Sequence, residues 1–312
     1  MKLDIRNLYK SFGETEVLRG VSFTAESGEA HGFLGRNGAG KTTAIRCIMD
    51  VFKPNSGEIL IDGKPLDRRD YKIGYMPEER GMYDRTRVID QLVYFGELKG
   101  MTRQAAHDSG MHYLERLELD DRAKDPLQDL SKGNQQKVQI IQSIIDSPDI
   151  LILDEPFSGL DPVNARVLKY FILEFLEQDR IVLFSSHQMT LVEEFCDDIT
   201  LIRKGDVLLS DELQAVKERW GEGQVRITLE DRSMDETYRF LEQLPGVEPW
   251  RDRLGVIARL NGSGNERSFL QDVLAQGEVP LAFEPYRPSL EDIFITLDRE
   301  AELSDPTESA EA

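Results

Sequence analysis

The stretch GRNGAGKT at residues 35–42 determines how the first part of the chain is expected to fold. Residues 29–34 before it have the pattern of a β-strand, and residues 42–51 after it have the pattern of a helix. Glycines in such a turn let successive backbone N–H groups converge on one point, where the helix dipole also favours negative charge. The stretch therefore predicts a loop that cradles nucleotide phosphates.

The side chains of this loop have predicted roles of their own. Lys41 is expected to reach the β- and γ-phosphates as a point charge, and the Thr42 hydroxyl is expected to ligate Mg²⁺. The other residues predicted to bind ATP in this part of the chain are Val17, Gly35, Asn37, Gly38, Ala39, Gly40 and Thr43. An ordinary glycine-rich turn is the alternative, and the flanking strand and helix patterns disfavour it.

A second stretch, ILILDEP at residues 150–156, is an apolar run that ends in two adjacent carboxylates. Such a run predicts a buried parallel strand, and α/β folds place ligands at the carboxyl ends of parallel strands. Asp154 is suited to hold Mg²⁺ through its water shell, and Glu155 is suited to orient and deprotonate the water that attacks the γ-phosphate. The alternative is a solvated strand end without chemistry.

The pattern of the whole chain predicts two domains and a tail. Over residues 1–219, β-like runs alternate with amphipathic helical stretches, which predicts an α/β domain with a mostly parallel sheet and an antiparallel β edge near the N-terminus. A helical subdomain is expected at about residues 88–146. Residues 220–300 predict a small C-terminal α+β domain, and residues 301–312 an acidic, disordered tail.

The composition limits which partners are expected. The chain has 312 residues and a formal net charge of −20, which repels a phosphate backbone, so no nucleic-acid partner is expected. No apolar run approaches the roughly 20 residues that cross a bilayer. Cys47 and Cys196 lack metal-ligand spacing, so reduced, buried thiols are expected. We expect a cytoplasmic protein.

A third stretch, LSKGNQQK at residues 130–137, resembles the signature motif of ABC ATPases. With the two stretches above, it identifies the chain as a member of this superfamily of P-loop NTPases. The resemblance implies that two cassettes face head to tail and that Ser131, Gly133 and Asn134 contact the nucleotide of the partner. A serine hydroxyl and glycine N–H groups at a helix start are suitable anion donors. Ser131 as a plain helix N-cap is the alternative.

Further residues match the family in order along the chain. Phe12 stands where an aromatic ring stacks on adenine, and it is alternatively a core aromatic residue. Asp161, in SGLD at residues 158–161, resembles the loop that crosses between paired cassettes, although Asp before Pro162 also fits a helix N-cap. His187 resembles the switch histidine, which contacts the γ-phosphate or the attacking water.

Two positions depart from the family pattern. Glu78, in GYMPEER at residues 74–80, stands where glutamine is usual, and its carboxylate is still a suitable Mg²⁺ ligand. Lys132 stands where glycine is usual in the signature motif. Its charge adds positive potential close to where the phosphate of a partner is expected.

PEERG at residues 77–81, the signature stretch and PSLEDIF at residues 288–294 resemble prokaryotic exporter ATPases of a sodium-efflux-like subgroup with a C-terminal accessory domain. The resemblance implies an ATP-binding and hydrolysing subunit that uses ATP and Mg²⁺. It further implies an ATP-sandwich dimer with itself or a homologous cassette. That dimer would drive a separate multi-span membrane permease from the cytoplasmic face of the membrane.

Two other functions remain open at this point. One is a soluble ABC ATPase that acts on a macromolecular complex in translation or DNA repair. Such proteins usually carry two cassettes or a long coiled coil, whereas this chain has one phosphate loop and no sustained heptads. The other is a nucleotide-dependent regulator that hydrolyses ATP weakly, which Glu78 and the altered signature allow and Glu155 disfavours.

Overall fold

The computed structural model describes residues 1–79, 81–261 and 265–304. Internal contacts divide the chain into two units, Met1–Leu213 and Gln214–Ala312. The division lies at the start of a helix, Leu213–Gly221, and therefore a few residues before the expected boundary at residue 219.

The first unit alternates strands and helices along the chain. Its strands are β1 (Lys2–Phe12), β2 (Thr15–Glu26), β3 (Ala30–Leu34), β4 (Ser56–Ile61), β5 (Lys64–Pro65), β6 (Ile73–Met76), β7 (Ile150–Asp154), β8 (Ile181–Ser186), β9 (Asp198–Arg203) and β10 (Asp206–Glu212). Its helices are α1 (Lys41–Ile48), α2 (Val88–Leu98), α3 (Arg103–Arg116), α4 (Lys132–Ile144), α5 (Pro162–Leu176) and α6 (Met189–Glu193), and α7 (Leu213–Gly221) begins at its last residue.

The larger sheet of this unit has the strand order β10-β9-β3-β8-β7-β6. Every neighbouring pair in it is parallel except β9 with β10, which are antiparallel. Strands β3, β7 and β8 are buried along their whole length, and most of their residues are apolar, as expected for strands that are covered on both faces. The predicted mostly parallel sheet is confirmed, and the carboxyl ends of β3, β6, β7 and β8 all lie along one edge.

The predicted antiparallel strands near the N-terminus form a sheet of their own, in the order β2-β1-β4-β5. Leu3 pairs with Ala25 and Ile5 pairs with Phe23. Apolar residues from this sheet share one buried cluster with residues from α1 and from the larger sheet, among them Ile45 and Leu183. The core that supports the phosphate loop is therefore built from two sheets and the helix that follows the loop.

The predicted helical subdomain contains α2, α3 and α4. Gly96 of α2 packs so closely on Ala106 of α3 that an added Cβ would lie 2.6 Å from the alanine Cβ. Lys99, just after α2, pairs with Asp146, just after α4, at 2.6 Å. These contacts hold the three helices together.

The second unit contains β11 (Gln224–Leu229), α8 (Met234–Glu242), β12 (Val247–Arg251), β13 (Val256–Leu260), α9 (Glu266–Ala275), β14 (Pro280–Pro285) and α10 (Leu290–Ser304). Its antiparallel sheet has the order β12-β13-β11-β14, which is a split β-α-β arrangement. Val225, Ile227 and Leu229 alternate into a buried cluster with Leu241 and Phe269 from the two helices. This unit has its own core.

The tail prediction is wrong for its first four residues, 301–304, because α10 continues to Ser304. The hydroxyl of Ser289 caps this helix by accepting the N–H of Asp292 at 3.1 Å. Residues 301–303 are alanine, glutamate and leucine, and all three favour helix, so the helix continues into the predicted tail. The rest of the predicted disordered tail, residues 305–312, lies outside the described residues.

None of the helices in the described parts of the chain combines the length and the apolar character that a membrane crossing requires. Both cysteines are free and buried, as expected. Burial raises the pKa of the Cys47 thiol to about 11 and also raises that of Cys196.

Candidate nucleotide site

The topology of the larger sheet gathers four separate stretches of sequence at one edge. The loop at residues 35–42 follows β3, and Glu78 comes shortly after β6. Asp154 ends β7 and Glu155 comes directly after it, and His187 follows β8 directly. Because these strands are parallel neighbours, residues that are far apart in sequence meet where the strands end.

The loop after β3 has the geometry of an anion cradle. Gly38 and Gly40 have φ angles of 80° and 111°, which side chains other than glycine rarely adopt. Gly40 is the N-cap of α1 and offers no side-chain oxygen to the first N–H groups of that helix. These donors stay available to a ligand at the positive end of the helix dipole.

Lys41 is 6% exposed, and its ammonium group is held over the same loop. It donates to the Gly35 carbonyl at 2.7 Å and lies 3.5 Å from the Glu155 carboxylate. A lysine is buried this deeply only where other groups balance its charge. Lys41 is thus positioned before any nucleotide arrives.

A pocket of about 250 Å³ opens between the loop and the strand ends. It is lined by Val17, Arg36, Asn37, Gly38, Gly40, Lys41, Thr42, Thr43, Glu78, Asp154 and Glu155. All of these except Arg36 are predicted site residues. Of the predicted loop residues, Gly35 and Ala39 lie behind the lining: a Cβ on Gly35 would lie 2.3 Å from the Ile202 carbonyl oxygen, and Ala39 accepts the N–H of Gly205 at 2.9 Å.

The carboxylate of Asp154 is almost completely buried but only partly satisfied. Its Oδ1 accepts the hydroxyl of Ser185, and its Oδ2 has no hydrogen-bond partner. Burial raises the pKa of the neighbouring Tyr75 to about 12, and the negative charge of Asp154 adds to that shift. A buried, unpartnered carboxylate oxygen is costly, so its presence at a pocket points to a ligand.

Glu155 is buried and has a φ of 53°, which is uncommon for a residue other than glycine. Its Oε1 lies 2.9 Å from Nδ1 of His187, although the two atoms are not aligned as a hydrogen bond. The His187 side chain is 43% exposed. The predicted pair Glu155 and His187 is therefore in contact, and Glu155 lines the pocket whereas His187 lies outside its lining.

The donors at this site fit a magnesium ion. Asp154 and Glu78 supply carboxylate oxygens and Thr42 supplies a hydroxyl, which are the hard oxygen ligands that Mg²⁺ prefers. Within residues 1–79, 81–261 and 265–304, no three His, Cys, Asp or Glu side chains are grouped to hold a metal by themselves. Such an ion would therefore share its coordination with phosphate oxygens and water.

Two buried glutamines of α4 were not predicted as site residues. Gln139 donates to the Pro77 carbonyl at 2.8 Å, next to Glu78, and Gln136 donates to the Pro156 carbonyl at 2.9 Å, next to Glu155. Both side chains are buried, at 1% and 6% exposure. The available signal was their position among apolar residues of α4, where a polar side chain needs a buried partner.

The predicted signature residues lie at the start of α4 and do not line the pocket of their own chain. Ser131 is the N-cap of α4, and its hydroxyl accepts the Asn134 N–H at 3.3 Å. Asp161 is the N-cap of α5 and accepts the N–H groups of Val163 and Asn164 at 3.0 Å each. We refer to these two helix starts, residues 131–134 and 161–164, as the α4–α5 face.

Phe12 also lies outside the lining of the pocket. Phe12 is 49% exposed, and its ring packs edge to face with that of Phe52, with a distance of 5.3 Å between ring centroids. The Lys10 ammonium lies 5.2 Å from the Phe12 centroid. The ring is therefore a surface aromatic, contrary to the core alternative.

Comparison with known proteins agrees with these features. A family profile described as "ABC transporter" matches residues 18–158. The uncharacterized ABC transporter ATP-binding protein YhaQ of Bacillus subtilis is 37% identical over 295 residues, which are 94% of this chain and 97% of that protein. The uncharacterized ABC transporter ATP-binding protein BpOF4_11395 of Alkalihalophilus pseudofirmus is 40% identical over 265 residues, 84% and 97% of the two chains. A solved structure described as the ATP binding subunit of an ABC transporter aligns with a TM-score of 0.64 and 26% identity, covering 78% of this chain and 100% of that one.

Relatives whose names state a direction of transport fall into both classes. The Nod factor export ATP-binding protein I of Burkholderia lata is 33% identical over 207 residues, 65% of this chain and 68% of that protein. The ribose import ATP-binding protein RbsA of Lacticaseibacillus paracasei is 33% identical over 215 residues, 66% of this chain and 43% of that protein. Similarity at this level does not separate export from import.

Proposed function

This chain belongs to the family of ABC transporter ATP-binding proteins, and we propose that it hydrolyses ATP to drive a separate membrane permease. The observation that carries the proposal is the pocket in which Lys41, Asp154 and Glu155 meet beside the helix start after β3. It combines an anion cradle, a fixed positive charge and two carboxylates with different surroundings. Phosphoryl transfer to water needs these parts in one place.

The two carboxylates are suited to different tasks. Asp154 is fixed by Ser185 and keeps one oxygen unpartnered, which suits a group that faces a bound cation. Glu155 lies between Lys41 and His187, which suits a group that orients the attacking water and accepts its proton. When phosphates enter, Lys41 exchanges the Gly35 carbonyl for phosphate oxygens, and Glu155 is released toward the water.

Thr42, Glu78 and Asp154 would hold Mg²⁺ in this proposal. A bound Mg²⁺ neutralises charge on the β- and γ-phosphate oxygens. The buried Gln139 fixes the loop that carries Glu78, because its amide nitrogen donates to the carbonyls on both sides of Glu78. These are the Pro77 carbonyl at 2.8 Å and the Glu79 carbonyl at 3.4 Å. The glutamate that replaces the usual glutamine is thus held at the pocket by α4.

The proposal includes a dimer because one chain holds only part of the site. The α4–α5 face carries donors for an anion, yet none of its residues lines the pocket of the same chain. Two chains, or this chain with a homologous cassette, would close this face over the partner's nucleotide. ATP would then join the two chains, and hydrolysis would separate them.

An exposed aromatic cluster on the helical subdomain supports a protein partner there. Tyr83 and Tyr94 are 53% and 45% exposed, and the rings of both contact the ring of Phe95. Leu98, one turn after Tyr94, is 66% exposed. Exposed apolar clusters of this kind are typical of interaction sites. We place the permease at this surface, on the cytoplasmic side of the membrane.

Export is the finer part of the proposal. It is supported by the resemblance of residues 77–81, 130–137 and 288–294 to exporter ATPases with a C-terminal accessory domain. In this view residues 220–300 are that accessory domain. Transport assays in vesicles with the cognate permease would decide the direction.

The ATPase and the dimer are tested together by Glu155→Gln. This change keeps the shape of the side chain but removes the base, so ATP should bind without being hydrolysed, and light scattering should show a stable dimer with ATP and Mg²⁺. Glu177→Gln, at an exposed position, is the matched control and should turn over ATP like the parent chain. A Glu155→Gln protein that stays monomeric with ATP and Mg²⁺ would contradict the proposal.

A further inference from the structure

The starts of α4 and α5 meet through the side chain of Asn164. A Cβ built on Gly133 would lie 2.8 Å from Nδ2 of Asn164 and 3.2 Å from its Cγ. Gly133 is buried, and it is not among the glycines with positive φ. An alanine at this position would therefore crowd the Asn164 amide, which fills the space beside Gly133.

Asp161 fixes that amide in place. Nδ2 of Asn164 donates to Oδ2 of Asp161 at 2.6 Å, while Oδ1 of Asp161 accepts the N–H groups of Val163 and Asn164. These hydrogen bonds, first of all the one from the Asn164 backbone, lower the pKa of the Asp161 carboxyl group. The carboxylate is thus an ionised anchor for the amide.

The amide nitrogen has a second hydrogen available beyond the one that Asp161 accepts. This nitrogen is the atom of Asn164 nearest to the Cβ position of Gly133, beside the start of the thirteen-residue helix α4. Ser131 caps that start by accepting the N–H of Asn134. An anion placed at α4 would therefore meet the amide of Asn164 together with the helix N–H groups.

We propose that Asn164 is a positioning residue that locks the signature glycine Gly133 to the crossing-loop residue Asp161, so that both move as one unit against the partner's nucleotide. The inference rests on the proposed function, since the ATP-sandwich dimer is what brings a γ-phosphate to Gly133. A shift of the crossing loop would then also move Gly133 relative to the phosphate of the partner.

The test uses the full chain carrying Glu155→Gln, with ATP-driven dimerisation measured by light scattering. Asn164→Ala removes the amide, and Asn164→Asp keeps its shape but places a second carboxylate beside Asp161. We expect the ATP concentration for half-maximal dimerisation to rise about tenfold for Asn164→Ala, the effect of losing one hydrogen bond to a charged group, and further for Asn164→Asp. ADP affinity of the single chain should not change.

A double-mutant cycle separates positioning from mere stability. Gly133→Ala should impair dimerisation strongly when Asn164 is present, because the added methyl group meets the amide. It should add little once Asn164 is alanine. An equal cost of Gly133→Ala in both backgrounds would overturn the inference, as would an unchanged dimerisation midpoint in both Asn164 variants.

Two further outcomes are informative. A loss of ADP affinity in step with a lower melting temperature would show that Asn164 only stabilises the fold, which also overturns the inference. If Glu155→Gln alone fails to dimerise, the proposed function falls and this inference falls with it. If Glu155→Gln dimerises and the Asn164 variants dimerise equally well, the proposed function stands and only the role of Asn164 is refuted.

Discussion

The phosphate pocket and the α4–α5 face differ in how complete each is within one chain. In the pocket, Lys41 and Glu155 are buried and already in contact. On the face, Ser131 and Asp161 are exposed, and their oxygens cap their own helices. The first region is preorganised for a ligand that one chain binds alone, whereas the second presents donors whose ligand must come from elsewhere. Binding and turnover should therefore respond separately to substitutions in the two regions.

The largest expected effect is at Lys41. Lys41→Ala removes the charge that faces the phosphates and leaves Glu155 buried without its neighbour, so ATP affinity of the single chain should fall by about 100-fold or more. Isothermal titration calorimetry with ATP measures this. Lys53→Ala, at a lysine whose side chain is 82% exposed, is the control and should bind ATP normally. Unchanged affinity in Lys41→Ala would mean that the pocket is not the nucleotide site.

The next effect is on the α4–α5 face and should leave single-chain binding intact. Ser131→Asp keeps an N-cap acceptor for the Asn134 N–H, so the melting temperature should change little. Its carboxylate repels a phosphate at the same place, and the hydroxyl that would donate to the phosphate is lost. ATPase activity should therefore fall by about tenfold or more, the effect of losing one hydrogen bond to a charged group. Steady-state ATPase rates and ADP titrations test this. Loss of ADP affinity would show that the two regions are not separate.

The smallest effect is expected at Ser185, behind the pocket. Ser185→Ala removes the donor that orients Asp154, and the Mg²⁺ concentration for half-maximal activity should rise about tenfold, as for other groups that orient a metal ligand. Activity at saturating Mg²⁺ should largely return. Ser210→Ala, whose hydroxyl pairs with Thr200, is the matched control. An unaltered Mg²⁺ requirement in Ser185→Ala would remove Asp154 from the metal site.

The same contrast explains what the sequence predicts well. The loop at residues 35–42 and the strand ending in Asp154 carry their structure locally, in glycine spacing and in an unbroken apolar run, so fold and pocket follow from short stretches. The contacts between these stretches cannot be predicted in the same way. The tethers from Gln136 and Gln139, and the fit of Asn164 on Gly133, depend on how helices pack, and no periodic pattern in one helix encodes them.

Two other differences have local physical reasons. Strand β12 (Val247–Arg251) was not predicted, because its proline and glutamate disfavour a strand. The pairing with β13 and the ion pair between Arg251 and Asp235 of α8 hold it. Helix α10 extends into the predicted tail, because acidic residues that suggest disorder also favour helix once a cap has started it. The predicted roles in binding, catalysis and dimerisation stay predictions.

The backbone conformation at Glu155 is energetically unfavourable for a glutamate. A left-handed φ of 53° suits glycine, asparagine or aspartate better than glutamate, so the chain keeps at this position a residue that its own backbone disfavours. Evolution toward a more stable protein would therefore tend to erase this glutamate, unless selection for turnover retains it. In a collection of variants chosen only for heat resistance, position 155 should be among the first in the site to drift.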